Sequence, residues 1–190
     1  ERCIGLSSVT IPDSVTSIGS GVFDECNNLT VYLESGSTLT SNVLGVDESK
    51  IVSYWNEGNL TWKLYEDGKL TISGTGAMKD YDNGDNRSPV YNNSDVKKIV
   101  IEDGVTSIGE LAFYKCSSLT NITIPGNVES IGESAFYSCD NLTDVTLQDG
   151  VKSIGNAAFI LCNNLTNIVL PNSITSIEGF AFKDCTSLTS

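Results

Sequence analysis

The sequence predicts a β-rich solenoid, in which short parallel strands stack coil upon coil, short 3₁₀ or helical turns join them, and a β-hairpin segment resembles a cap. Three observations carry that reading. A unit of 23 residues recurs in register along the chain. Each unit pairs an alternating apolar run with the motif Ala-Phe-x-x-Cys. Between residues 47 and 95 the recurrence stops, and two alternating runs flank Glu66-Asp67-Gly68-Lys69.

The recurrence is dense. Cys116, Cys139, Cys162 and Cys185 lie 23 residues apart, as do Phe113, Phe136, Phe159 and Phe182, each preceded by alanine. Ile108, Ile131, Ile154 and Ile177 keep the step. Gly109, Gly132 and Gly155 follow the first three, and Glu178 takes the fourth place. Upstream, Val105, Val128, Val151 and Ile174 recur behind the pairs Ile99/Ile101, Ile122/Ile124, Val145/Leu147 and Ile168/Leu170. Cys3 and Cys26 are also 23 apart, and Leu6, Val9, Ile11, Val15, Ile18 and Phe23 fit the same template.

Each part of the unit has a physical reading. The Ile-x-Ile pair is a short strand with one buried face. Pro12, Pro125 and Pro171 end that strand, because proline lacks the ladder donor. Val-x-x-Ile-Gly is read as a turn, with glycine supplying permissive backbone angles. Ala-Phe-x-x-Cys puts a small residue and a ring on the inside of a tight 3₁₀ turn. Stacked cysteines would come within bridging range. Identical positions point in parallel, however, so buried thiols are expected instead.

The expected organisation follows from where the template holds. Residues 1–46 are the end of an upstream repeat block, closed by the strand at Val31-Tyr32-Leu33. Residues 47–58 are a linker, and 59–95 are a hairpin with irregular chain, with Trp62 on the hairpin's buried face. Residues 96–190 hold four repeats, the last incomplete. Both termini fall inside repeats, so the chain is expected to be part of a longer protein. Its last coil is expected to expose an apolar end and to support end-to-end self-association.

The segments Ile122-Thr-Ile-Pro-Gly-Asn-Val-Glu-Ser-Ile-Gly and Ala135-Phe-Tyr-Ser-Cys resemble the unit of the BspA-like leucine-rich repeat family of bacterial surface proteins. The resemblance covers residues 1–31 and 96–190. It implies a leucine-rich repeat solenoid at the cell surface or outside the cell. It further implies adhesion or protein binding rather than catalysis. Hairpin-plus-Gly-Thr-Gly segments like Gly74-Thr75-Gly76 precede repeat arrays in this family, which implies a capping role for 59–95.

Composition narrows the function. A net charge of −13 repels nucleic-acid phosphates and anionic lipid headgroups. The absence of histidine removes Ser–His and Cys–His nucleophile pairs and the imidazole-based zinc sites. No apolar run in the sequence approaches a transmembrane span. Asp80-Tyr-Asp82-Asn-Gly84-Asp85-Asn86 resembles half a calcium loop, but Gly84 and Asp85 break the ligand pattern and a solvated turn is the better reading. Asn-x-Ser/Thr occurs at Asn28, Asn59, Asn86, Asn92, Asn121, Asn141 and Asn164, largely because the repeat itself uses Asn-Leu-Thr. No cofactor and no metal are expected, and no nucleic acid.

The candidate site is the exposed sheet face. If Ile122 and Ile124 point in, Thr123 points out, in a row with Thr10, Val100, Thr146 and Val169. Beside it run Ser8, Lys98, Asn121, Asp144 and Asn167. Lys98, Asn121, Thr123, Asp144, Thr146 and Asn167 are the candidate binding residues, and the expected partner is a protein of the host extracellular or matrix class. The alternative is a carbohydrate-binding or substrate-recruiting module. The lack of aromatic residues in the row favours protein.

Overall fold

The structure, a computed structural model, describes residues 5–34 and 37–189. Cys3, expected in the Cys26 column, lies outside the described residues. The chain forms two compact units, Glu1–Trp55 with Lys63–Gly68, and Asn56–Trp62 with Lys69–Ser190.

In the first unit, β1 (Ser8–Ile11) and β2 (Thr30–Glu34) pair in parallel with Val9 opposite Val31 and Ile11 opposite Leu33. A helical turn, α1 (Ser41–Leu44), follows and ends at Gly45 in the left-handed region, φ 67°. Next comes β3 (Ile51–Glu57), inside the segment expected as a linker, and it pairs in parallel with β2. Its β-branched and aromatic run, Ile51-Val52 and Tyr54-Trp55, favours the extended chain. Val31, Leu33 and Ile51 face the interior with Phe23, Cys26, Leu29, Leu39 and Leu44.

The second unit begins with the end of β3 and with Leu60–Trp62 of β4 (Leu60–Tyr65). It then carries two ladders. One is built from β5 (Lys69–Gly74), β7 (Lys98–Ile101), β9 (Asn121–Ile124), β11 (Asp144–Leu147) and β13 (Asn167–Val169), in that order and all parallel. The other is built from β6 (Gly76–Ala77), β8 (Val105–Ile108), β10 (Ser130–Ile131), β12 (Ser153–Ile154) and β14 (Ser176–Ile177). The second ladder corrects one expectation. Val-x-x-Ile is not simply a turn; its serine and isoleucine bond the neighbouring coils as short strands, with Ile131 opposite Ile108 and Ile154.

The Ala-Phe-x-x-Cys segment departs from a continuous 3₁₀ turn for a clear reason. Ala112, Tyr114 and Cys116 N–H groups donate within the coil, three residues back. The alternate groups Leu111, Phe113 and Lys115 donate to Glu133, Ala135 and Tyr137 carbonyls of the next coil, at 2.8–3.0 Å. A 3₁₀ helix bonds every N–H to the carbonyl three residues back. Here Leu111, Lys115, Ser134, Ser138, Ala157 and Leu161 take positive φ, 51–62°, which frees every second donor for the neighbouring coil.

Glycine at position 132 answers a close approach rather than a special φ. A Cβ there would lie 2.6 Å from Gly109 C and from Glu110 N of the preceding coil.

Phe113, Phe136, Phe159 and Phe182 stack through the interior, with centroids 5.2, 5.0 and 5.6 Å apart. Trp62 adds a fifth ring, 5.6 Å from Phe113 and fully buried. The Glu57 carboxylate accepts from Trp62 Nε1 at 3.2 Å and from the Tyr81 hydroxyl, with Lys79 Nζ at 3.6 Å. Burial, reinforced by Glu57, pushes the Tyr81 phenol well above its ordinary range.

At the other end of the unit, Leu170, Ile177 and Phe180 are 42, 44 and 65% exposed, whereas Leu147, Ile154 and Ala157 one coil earlier are buried or half-buried.

Candidate binding face

The outer side of the main ladder is set by strand alternation. Ile122 and Ile124 are buried in β9, which turns Asn121 and Thr123 to solvent. Parallel pairing without a register shift repeats this arrangement. Lys98, Asn121, Asp144 and Asn167 are successive partners, and Thr123, Thr146 and Val169 form the adjacent row. All six residues singled out in the sequence are exposed on this one surface. Neighbouring side chains in a row sit about 4.8 Å apart.

Local hydrogen bonds orient the face. Thr143 Oγ1 donates to Asp144 Oδ2 at 2.8 Å, and Asn121 Nδ2 donates to Thr120 Oγ1 at 3.1 Å. The rows offer a cation, two amides, a carboxylate and paired threonine hydroxyls. They can hydrogen-bond an extended surface and make one ion pair at each sign.

Two features were missed. Lys69 and Thr71 of β5 extend the rows, opposite Lys98 and Val100. Their signal was the Leu70/Ile72 alternation, read only as a hairpin strand. Ser8 and Thr10, expected in these rows, belong to the first unit, where they lie opposite Thr30 and Tyr32. The second missed feature is a column of half-buried phenols. Tyr91, Tyr114 and Tyr137 stack with centroids 4.7 Å apart, and the Arg87 guanidinium lies 4.8 Å from the Tyr91 ring. Tyr91, Tyr114 and Tyr137 keep the 23-residue step, so the signal was present; Tyr91 follows Val90 rather than phenylalanine, which hid it from the Ala-Phe template.

The other candidates are absorbed by the framework. Cys116, Cys139, Cys162 and Cys185 are buried thiols whose Sγ atoms donate to Val90, Phe113, Phe136 and Phe159 carbonyls at 3.1–3.5 Å. Burial pushes the Cys116 thiol up to about 12 and Cys139 well above the ordinary thiol range, so neither is a nucleophile at neutral pH. Asn141 and Asn164 donate Nδ2 to Ser117 and Asp140 carbonyls of the coil before, at 2.9 and 2.7 Å. Asp82 Oδ1 accepts from Gly84 and Asn86 N–H groups, at 2.7 and 3.1 Å, closing a local turn.

Residues 1–43 and 87–190 match the BspA type leucine-rich repeat region, in six copies. The chain belongs to this family. Among solved structures, a leucine-rich repeat protein from Eubacterium ventriosum is 30% identical over 70% of this chain, with a TM-score of 0.53. A leucine-rich repeat protein from T. pallidum is 26% identical over 70% of the chain and 68% of its own length, at 0.53. One from Bacteroides ovatus, 23% identical, shares the fold over 96% of the chain and 59% of its own length, at 0.55. The BspA-type chain spans only 41% of the E. ventriosum protein. No curated protein matches. In this BspA-type solenoid no helix among the described residues is long and apolar enough to cross a membrane.

Proposed function

We propose that this BspA-type chain is a non-catalytic protein-binding and adhesion module, displayed at a bacterial cell surface or outside the cell. Host extracellular or matrix proteins are the partner class. The observation that supports this most is the pair of register-aligned polar rows on β7, β9, β11 and β13, held on a core of stacked rings. A rigid face of regularly spaced, chemically varied side chains suits an extended protein partner. The net charge weighs against nucleic acid. The rows themselves carry no ring on which a sugar could stack.

The deciding experiment sets the chain against a panel of immobilised matrix proteins and, in parallel, a glycan array. Saturable binding to a matrix protein that is lost in Thr123→Arg/Thr146→Arg supports the reading. Binding to glycans through these same residues, or matrix binding that ignores the double substitution, refutes it.

A further inference from the structure

We propose that the first unit holds a carbohydrate site, a cavity that takes a neutral pyranose ring against the Trp55 indole. The inference stands apart from the sheet-face reading, since every residue it uses lies in the first unit.

One departure in the strand pattern opens the inner end of a cavity between the 33–41 segment, β3 and Glu66. Position for position, the inward residue opposite Leu33 in β1 is Ile11, but in β3 it is Ser53. Replacing an aliphatic side chain by serine leaves the end of the coil interior unfilled. The resulting cavity has a volume of about 340 Å³, within the size range of small-molecule sites. Its floor is Leu33, Leu39 and Ile51, all buried. Trp55, two residues past Ser53 on the same strand face, forms one wall and is half-buried. Glu34 and Glu66, with the Ser37, Thr40 and Ser53 hydroxyls, line the rest.

That lining matches a sugar ring group by group. A pyranose has an apolar C–H face, which packs on an aromatic wall, and a rim of hydroxyl donors, which carboxylates and side-chain hydroxyls accept. Glu34 Oε2 accepts weakly from Asp13 N–H at 3.4 Å, and a carboxylate has further lone pairs to offer. None of the lining residues is cationic, in a chain of net charge −13. Uronates and phosphorylated sugars are therefore disfavoured, and a neutral ring is the class that fits.

The test is a titration of the whole chain with methyl glycosides of glucose, galactose, mannose and N-acetylglucosamine, with glucuronate as the anionic counterpart. Binding is read by calorimetry and by tryptophan fluorescence. The chain has two tryptophans, and Trp62 is fully buried, so a sugar-dependent change reports Trp55. At least one neutral glycoside should saturate the signal, and glucuronate should bind at least about tenfold more weakly. Trp55→Ala and Glu34→Gln should each weaken binding by about tenfold or more. Ser53→Leu restores the aliphatic residue of the coil before; it should abolish binding without lowering Tm, which separates loss of the cavity from loss of the fold. The proposal is overturned if no neutral glycoside binds. It also fails if glucuronate binds as well as its neutral counterpart, or if Ser53→Leu or Glu34→Gln binds like the parent.

Discussion

Phe136 lies face to face with Phe159, ring centroids 5.0 Å apart and planes at 0°. The two rings are the same position of the repeat, one coil apart, so a 23-residue step in sequence becomes a single stacking distance in space. Each ring is fully buried and sealed by a thiol whose Sγ bonds a carbonyl of the coil before.

Phe136→Ala removes the middle of that column, and the coils on either side are held by three hydrogen-bonded edges that cannot collapse onto the gap. The loss should be about 3–5 kcal/mol, which lowers Tm by roughly 6–20 °C in a chain of this size. Thermal unfolding measures it; a shift within about 2 °C would remove the column from the core.

The Phe and Cys columns were legible because they recur at a fixed step and because Ile-x-Ile alternation is an unambiguous strand signal. The second ladder was not, since a two-residue strand such as Ser130–Ile131 is too short to show alternation. The positive φ at Leu111 and Lys115 was equally hidden, because neither side chain favours it; the demand comes from the next coil's carbonyls. Trp62 was placed correctly on a buried face, but its contact with Phe113 joins chain outside the repeat to chain inside it. The six face residues followed directly from alternation, whereas the Trp55 cavity needs the pairing of β3 with β2, which the sequence does not announce because residues 47–58 read as a linker.

Two glycines separate close approach from simple turn chemistry. A Cβ on Gly132 meets backbone at 2.6 Å, whereas one on Gly179 meets nothing nearer than 3.9 Å. Gly132→Ala should therefore destabilise by about 1–3 kcal/mol or more, and Gly179→Ala should stay within about 0.5 kcal/mol of the parent. Urea unfolding of both variants checks this; equal effects would contradict the coil spacing.

The thiols should be silent in the native chain. Iodoacetamide at neutral pH should leave Cys116, Cys139 and Cys162 unmodified, and denaturation should expose all three, as read by mass spectrometry. Burial holds the Cys116 proton up to about 12, against an ordinary value of 9.0. The native state thus binds this proton more tightly than the unfolded chain. Its contribution to stability is complete below pH about 9 and is lost as pH rises towards about 12. Cys116→Ala should flatten that part of the stability curve.

We propose that a protein partner docks on the rows of β7, β9, β11 and β13. The most direct test is the affinity of the matrix protein captured in the panel, measured against Thr123→Arg, Asp144→Arg and Thr146→Arg, with Thr106→Arg on the second ladder as control. All four positions are exposed, so their Tm values should match the parent within about 2 °C. The expected result is a loss of about tenfold or more at the three face positions and less than about twofold at Thr106. Equal affinities across all four variants, or a loss confined to Thr106→Arg, would place the partner elsewhere and contradict the account.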